Sequence, residues 1–312
     1  MWQFSLLASF VATQKTNAFA RASVRAYDFI DKSNCYIIIF NIMALNEFTI
    51  KKTETFDVGQ TLDCGQVFRY VFDGEEYKVH AKNHVAYIRE NGDEYIVRCD
   101  DKEFFERYFD FDTDYAAIQA KVDDCEFMHE AIEFGKGIHI LRQDPVEAIF
   151  SFIISQNNHI PRIKGIIERI CNSLGDDMGD YHAFPSVEKL ASAGVDFYKN
   201  VGAGYRAEYL DRVAKTLVGT DVNEWSALST VELRKNLLSL HGVGRKVADC
   251  ALLFGFGKFD VFPVDTWIKK IYEDEYNVQD AEKMSEILVK RYQNYAGFAQ
   301  QWAFYYKRVK KV

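Results

Sequence analysis

The stretch from Leu240 to Trp267, in which two predicted helices meet at a glycine turn, constrains this chain more than any other. A helix is predicted to end near Leu240, the turn reads Gly242-Val243-Gly244, and a second helix is predicted to begin at about Lys246. Glycines permit positive φ and leave the backbone bare, so successive amide N–H groups can point outward together. Such a nest at a helix N-terminus binds an anionic oxygen, and we expect a DNA phosphate there.

A lysine and an aspartate in this stretch predict a reaction. A free lysine is almost fully protonated at neutral pH, but partial desolvation at a helix N-terminus favours the nucleophilic amine. Asp265 follows Pro263 in a loop, where it is also predicted to cap the next helix. A fixed carboxylate stabilises the positive charge that develops on a sugar when its glycosidic bond breaks. By itself, Lys246 could be a surface residue that binds a phosphate without taking part in catalysis. The combination of Lys246 with Asp265 favours catalysis.

The composition indicates a folded protein that is large enough for two domains. Of the 312 residues, 48% are hydrophobic and 15% aromatic, which excludes a disordered chain. The formal net charge of −8 argues against a broad nucleic-acid-binding surface. It leaves room for one positive groove, to which the run Lys307-Arg308-Val309-Lys310-Lys311 can contribute.

The cysteines and the N-terminus bear on compartment and cofactors. The six cysteines are scattered without a CxxC pair, which indicates reduced thiols and predicts neither zinc nor disulfides. The cysteine usage therefore indicates a cytoplasmic location, and no metal or organic cofactor is implied. Residues 1–42 read as a leader or a mis-assigned start outside the fold, and a working leader would point to an organelle or the nucleus. No stretch reaches about 18 apolar residues, so no membrane span is predicted.

The hydrophobic pattern changes along the chain and predicts an α+β protein. Short strands are expected at 67–72, 77–79, 85–89 and 95–98, with Asp73-Gly74 and Asn91-Gly92 as hairpin turns. A helix from Lys102 to Phe109 follows, capped by Asp101. After about Asp110 the pattern is helical, with helices at 145–154, 161–174, 206–218, 230–240, 245–255, 265–275, 280–294 and 297–309. The predicted domains are an antiparallel sheet domain at 43–128 and a helical domain at 129–312, with the helix-hairpin-helix at about 230–255.

The lysine and aspartate at this spacing resemble the bifunctional base-excision DNA glycosylases of the helix-hairpin-helix superfamily. Four further stretches narrow the resemblance to the 8-oxoguanine DNA glycosylases of bacterial type, from about Phe56 to Phe304. They read Cys64-Gly65-Gln66-Val67-Phe68-Arg69, Leu141-Arg142-Gln143-Asp144-Pro145, Phe152-Ile153-Ile154-Ser155-Gln156-Asn157-Asn158 and Gly297-Phe298-Ala299-Gln300. Each stretch is short and is weak evidence by itself. The resemblance rests on their occurring together and in the same order as in the family.

The resemblance implies a pocket for an extruded base. Gly65 would offer a main-chain carbonyl to N7–H of the oxidised base, whereas guanine presents a lone pair there. Gln300 would read the Watson–Crick edge, and Phe304 and Cys250 would stack on either side of the base. Cys250 also lies four residues after Lys246 on one helical face. The alternative roles are a β-bulge glycine for Gly65, a solvent-exposed glutamine for Gln300 and a core phenylalanine for Phe304.

The resemblance also implies contacts to the rest of the duplex. Asn157, Arg162 and Arg206 would hold the orphaned cytosine, and Tyr205 would fill the vacated stack, so we expect a preference for cytosine opposite the lesion. The alternatives to base contact are a merely exposed arginine and an asparagine, Asn157, that caps a helix. Two positions depart from the family pattern: Trp267 stands where a histidine touches phosphate, and His159 replaces a third asparagine.

The function implied is a monomeric DNA glycosylase and AP lyase that removes 8-oxoguanine from damaged double-stranded DNA. Lys246 would form a Schiff base, and β-elimination would follow. Two other functions stay open at this point. A glycosylase for other alkylated or oxidised purines would need the aspartate but not the lysine, and a non-catalytic helix-hairpin-helix module would need neither beyond affinity.

Overall fold

A five-stranded antiparallel sheet forms the N-terminal part of the protein. The structure is a computed structural model that describes residues 45–310, apart from the side chains of residues 274 and 275. The predicted leader at residues 1–42 lies outside the described residues. The strands are β1 (Asn46–Lys51), β2 (Tyr70–Phe72), β3 (Glu76–Ala81), β4 (His84–Asn91) and β5 (Glu94–Cys99), in the spatial order β1-β5-β4-β3-β2.

Tight turns set the register of the sheet. Asp73 Oδ1 accepts the amides of Glu75 and Glu76 at 2.9 and 2.8 Å, which closes the β2–β3 turn. The β4–β5 hairpin pairs Asn91 with Glu94 across Gly92, whose φ is +58°. Both predicted hairpin turns are therefore confirmed.

The first predicted strand is shorter than expected, and a helix precedes it. Paired residues in the sheet register begin only at Tyr70, although Arg69 O still accepts the amide of His80 at 2.9 Å. Helix α1 (Val58–Asp63) begins at Asp57, whose carboxylate accepts the amide of Gln60 at 2.7 Å. The strand-like pattern predicted for this region did not indicate that helix.

The rest of the described chain is helical, and the α+β class is confirmed. The helices are α2 (Lys102–Tyr108), α3 (Tyr115–Val122), α4 (Glu126–Phe134), α5 (Pro145–Ser155), α6 (Ile160–Leu174), α7 (Val187–Ser192), α8 (Gly194–Asn200), α9 (Ala207–Leu217), α10 (Thr230–Ser239), α11 (Arg245–Phe256), α12 (Thr266–Tyr276), α13 (Ala281–Tyr292) and α14 (Ala296–Lys310). The predicted cap Asp101 accepts a first-turn amide, and Asp144 does the same before α5, whose first residue is Pro145.

Helices α5 and α11 form the centre of the helical core. Nearly all of α5 is buried, as its apolar run predicts, and the rings of Phe152 and Phe254 stack with centroids 5.3 Å apart. The sheet and α1 pack around a second core with α2 and Leu141. Helix α14 returns to the sheet side, where Gln301 Nε2 donates to Cys64 O at 3.0 Å. The residues that follow α1 are thereby placed against the helical core.

Two absences hold for residues 45–310. No helix there is long and apolar enough to cross a membrane. No group of three or more histidine, cysteine, aspartate or glutamate side chains there is placed to hold a metal ion. The described cysteines are all free thiols.

Candidate active site

One pocket brings together the residues predicted for catalysis and base recognition. It forms where α11, α12 and α14 face the turn that follows α1. All six predicted residues line it, namely Gly65, Lys246, Cys250, Asp265, Gln300 and Phe304. Four residues that the sequence did not single out complete the lining: Phe152, Phe254, Pro263 and Gln301.

Lys246 is the second residue of α11 and is half-buried at the pocket wall. Its Nζ lies 5.5 Å from the centroid of the Phe152 ring. The amine is thus partly withdrawn from water and held at a helix N-terminus, as the sequence predicts for a nucleophile.

Cys250 lies one helical turn beyond Lys246 and is 4% exposed. Burial raises the pKa of the Cys250 thiol to about 11, the Lys246 cation opposes this rise, and the Asp265 carboxylate adds to it. The thiol is therefore protonated at neutral pH. Because the thiolate is the nucleophilic form of cysteine, the protonated Cys250 acts as an apolar wall of the pocket and not as a nucleophile.

Asp265 is the N-cap of α12, as predicted. Its Oδ1 accepts the amides of Trp267 and Ile268, both at 2.9 Å. These bonds fix the orientation of the half-buried carboxylate, and both use the same oxygen. The second oxygen, Oδ2, takes no part in these bonds, so one residue can cap the helix and also present a negative charge to the pocket.

Gly65 occupies a position that only glycine fits. Its φ is +92°, in the left-handed region that a side chain disfavours. A Cβ there would lie 2.5 Å from Arg308 Nη1 and 3.2 Å from Phe304 Cε1. The glycine lets the main chain approach the pocket as closely as the predicted carbonyl contact requires.

Gln300 has a side-chain amide oxygen without a hydrogen-bond partner inside the pocket. The residue is 5% exposed, and its Oε1 has no hydrogen-bond partner among the described residues. A buried amide oxygen left without a donor costs about 1–3 kcal/mol. Phe304 lies one turn later on α14. Its side chain is half-buried, so the residue belongs neither to the fully buried core nor to the exposed surface.

The glycine turn before α11 has two glycines with different requirements. Gly242 has a φ of +78°, and a Cβ there would lie 2.2 Å from Tyr209 Cγ. Gly244, at φ −90° and ψ 176°, is exposed, and a Cβ there would meet nothing within 4 Å. The fold requires glycine at position 242 but gives no internal reason for glycine at position 244.

One of the amides predicted to bind phosphate is used inside the turn. Val243 N donates to Leu240 O at 3.1 Å, so this amide does not point outward as the sequence analysis expected. Helix α11 has no side-chain N-cap bond. The unsatisfied amides at its N-terminus, beyond Gly244, are the donors that remain for an anion.

Asn157, Arg162 and Tyr205 are all exposed at the protein surface. Asn157 follows α5 with a φ of +47°, an uncommon conformation for a residue with a side chain. Arg162 is exposed, and its Nη2 donates to Gly202 O at 3.1 Å. Tyr205 is 53% exposed and its hydroxyl lies 3.3 Å from Gln156 O. An aromatic ring so exposed can enter a base stack.

Arg206 is buried rather than available at the surface. It is 3% exposed, and its guanidinium donates to the carbonyls of Gln156, Asn157 and Ala203, with Nε 2.7 Å from Gln156 O. In this conformation Arg206 fixes the backbone of the Asn157 loop. A direct contact of Arg206 with an orphaned base would require it to give up these bonds.

Two family models match successive parts of the chain. The model for the N-terminal domain of 8-oxoguanine DNA glycosylase matches residues 48–149, and the model for HhH-GPD superfamily base excision DNA repair proteins matches residues 150–294. The N-glycosylase/DNA lyase OGG1 of Arabidopsis thaliana is 31% identical over 290 residues, which cover 82% of this chain and 79% of the plant protein. The chain belongs to the 8-oxoguanine DNA glycosylase family.

Two further relatives of the family illustrate the match. The N-glycosylase/DNA lyase of Saccharomyces cerevisiae is 34% identical over 165 residues, which are 46% of this chain and 43% of the yeast protein. The 8-oxoguanine glycosylase/lyase of Clostridium acetobutylicum, solved with double-stranded DNA containing cytosine opposite to 8-oxoG, is 32% identical. Its structure matches with a TM-score of 0.80 and covers 86% of this chain and 98% of the Clostridium chain.

Trp267 stands at the position that departs from the pattern of this family. The residue is half-buried in the first turn of α12, and Lys270 Nζ lies 5.4 Å from the centroid of its ring. Lys270, which sequence analysis missed, adds a cation beside the indole. The other departure, His159, is exposed at the start of α6 and makes no side-chain cap bond there.

The spacing along helices identifies some of the pocket residues that were missed. Phe254 lies four residues after Cys250 and eight after Lys246, hence on the same face of α11. Gln301 and Phe152 come from other segments, and only the tertiary packing places them in the pocket.

Proposed function

We propose that this protein excises 8-oxoguanine from duplex DNA and then cleaves the strand at the abasic site, with Lys246 as the nucleophile. One observation carries the proposal: Lys246 and Asp265 share a pocket with the base-reading residues Gly65, Gln300 and Phe304. A protein that only binds DNA would not require a lysine and an aspartate in the same pocket as these residues. A pocket of this kind is reached only by a nucleotide that has left the base stack.

The pocket would recognise the base at two of its edges. The Watson–Crick edge of guanine carries N–H donors, and the unpartnered Oε1 of Gln300 is a matching acceptor. On the other edge, the carbonyl of Gly65 would accept the N7–H that only the oxidised base has. Guanine would place a lone pair against that carbonyl, and leaving a buried acceptor unpaired costs about 1–3 kcal/mol.

Base removal joins the lysine to the sugar. The free amine of Lys246 attacks C1′, the C1′–N9 bond breaks, and the base leaves with the bonding electron pair and takes up a proton. The carboxylate of Asp265 stabilises the positive charge on the sugar as the bond breaks. Opening of the sugar ring then gives a Schiff base between Nζ and C1′.

Strand cleavage follows from the same intermediate. The protonated Schiff base acidifies the C2′ hydrogens, so one is removed as a proton, and the C3′–O bond breaks with release of the 3′ phosphate. Water then hydrolyses the Schiff base and returns the free lysine. No metal or organic cofactor takes part in these steps.

The duplex would be held on both sides of the extruded nucleotide. The uncapped N-terminus of α11 would bind a phosphate oxygen near Gly244, and Tyr205 would fill the gap in the stack. Asn157 and Arg162 would contact the orphaned base, for which we propose cytosine. Arg162→Ala should reduce the excision rate opposite cytosine more than opposite adenine, and an equal rate for wild type opposite all four bases would contradict the preference.

A base-release assay tests the function. Duplex DNA with one 8-oxoguanine opposite cytosine is incubated with enzyme, and the free base and the nicked strand are quantified separately. Asp265→Asn keeps an oxygen that can cap α12 but loses the charge, and should slow base release by about 10²–10³-fold. Wild-type enzyme that leaves the oxidised base in place would overturn the proposal.

The matched control for the nucleophile is another lysine near α11. Lys258 lies just beyond the helix, and its Nζ donates to Ser226 O at 2.9 Å. Lys258→Gln should retain full base release and nicking, whereas Lys246→Gln should lose both.

A further inference from the structure

We propose that Gln301 and Arg308 of α14 are positioning residues that hold the Gly65 turn against the base pocket and thereby set the selectivity for the oxidised base. This inference rests on the proposed function, because it concerns how the same pocket reads its base. Neither residue is one of those to which the family resemblance assigns a role. Both reach the Gly65 turn from the helix that also carries Gln300 and Phe304.

The carbonyls around Gly65 are held by side chains rather than by a sheet. Gln301 Nε2 donates to Cys64 O at 3.0 Å, and Arg308 Nη2 donates to Asp63 O. On the far side, Gln143 Nε2 donates to Gln66 O at 2.8 Å. The main chain is therefore fixed immediately before and immediately after the glycine.

Arg308 also contacts the opposite wall of the pocket. Its Cζ lies 5.3 Å from the centroid of the Phe304 ring, while its Nη1 lies 2.5 Å from the place that a Gly65 Cβ would occupy. Nη1 is buried and has no hydrogen-bond partner among the described residues. One guanidinium thus touches both the glycine turn and the stacking ring, and it sets the spacing between them.

Fixed spacing matters because the discrimination depends on one short contact. A carbonyl that is free to withdraw would tolerate the N7 lone pair of guanine at little cost, and the difference in binding between the two bases would shrink. A carbonyl that cannot withdraw keeps the full cost of an unpaired acceptor. Preorganisation of this kind affects a step that requires the base and leaves the lysine chemistry unchanged.

Two substrates separate positioning from a general structural role. The first is duplex DNA with 8-oxoguanine opposite cytosine, and the second is the same duplex with a preformed abasic site. Cleavage at the abasic site needs Lys246 but no base in the pocket. Single-turnover rates on both substrates are compared for wild type, Gln301→Met, Arg308→Met and Arg308→Lys.

We expect Gln301→Met and Arg308→Met each to slow excision of 8-oxoguanine about ten-fold, which corresponds to about 1.4 kcal/mol. Abasic-site cleavage should stay within about two-fold of wild type, since the catalytic pair is untouched. Arg308→Lys retains a cation and a donor, so it should recover part of the excision rate. Lys290→Met, which removes a charge from an exposed position on α13, should resemble wild type on both substrates.

Equal losses on the two substrates would overturn the inference, because they would indicate a general structural role. Unchanged excision in both methionine variants would overturn it as well. Failure of the proposed function has a different signature, in which wild-type enzyme itself does not excise 8-oxoguanine.

Discussion

Asp249 on α11 accepts a hydrogen bond from Arg234 Nε on α10 at 2.7 Å, and this contact fixes the two helices of the hairpin to each other. The second carboxylate oxygen of Asp249 accepts from Arg245 Nε at 2.8 Å. The aspartate side chain is 1% exposed, so the ion pairs are shielded from solvent. Because Lys246 follows Arg245 directly, the same carboxylate positions the start of the catalytic helix.

Replacing Asp249 with asparagine should destabilise the fold. Two arginines would lose their buried counter-charge, and breaking a buried ion pair costs about 3 kcal/mol. Chemical denaturation would measure the loss. The control is Asp176→Asn, which breaks the exposed Lys189–Asp176 pair and should cost no more than about 1 kcal/mol. Similar losses in the two variants would contradict a special role for Asp249.

The two glycines of the hairpin should separate stability from DNA binding. Gly242→Ala places a Cβ against Tyr209 at positive φ, so we expect the free energy of unfolding to fall by about 2 kcal/mol or more. Gly244→Ala meets nothing in the protein and should leave stability unchanged. The same change would obstruct a phosphate at the N-terminus of α11, and about ten-fold weaker binding to duplex DNA is expected.

Fluorescence anisotropy over a range of salt concentrations would test this pair of variants. Binding of Gly244→Ala that equals wild type at every salt concentration would place the phosphate elsewhere. A stable Gly242→Ala protein would show that the Tyr209 ring can move aside.

Stability should fall in mild acid because of His80. The ring stacks on Tyr181, with centroids 4.8 Å apart, and its Nε2 is buried without a partner among the described residues. Burial, aided by the nearby Arg69 and Lys78 cations, lowers the pKa of His80 to about 3. Below its ordinary value of 6.5, the unfolded chain therefore binds a proton that the native protein does not, and about 2 kcal/mol is lost between pH 6.5 and pH 5.

His80→Phe should remove this loss, measured as the difference between the variant and wild type in free energy of unfolding at each pH. The comparison is needed because Glu147 acts in the opposite direction. Burial raises the pKa of Glu147 to about 7, so its contribution to stability grows as the pH falls from 7 towards 4.5. Parallel curves for wild type and His80→Phe would contradict the role of His80.

The sequence predicted those parts of the molecule that local chemistry determines. The caps Asp101 and Asp265 each precede a helix and need only their own next few amides. The hairpin around Gly242 likewise follows from backbone conformation. Residues four apart on one helix, such as Lys246 and Cys250, could be placed in one pocket before the fold was known.

Tertiary contacts decided what the sequence could not show. Arg206 is buried because carbonyls from the distant Asn157 loop surround it, and nothing within its own segment indicates that. The support of the Gly65 turn by Gln301 and Arg308 depends on the return of the last helix to the sheet.

Borohydride trapping tests the central claim most directly. Reduction during turnover of duplex DNA with 8-oxoguanine opposite cytosine converts a Schiff base into a stable protein–DNA adduct, and peptide mapping then identifies the attached residue. We predict an adduct at Lys246 that is absent from Lys246→Gln and present in Lys258→Gln. An adduct at another residue, or base release from wild type without any adduct, would contradict the lysine mechanism.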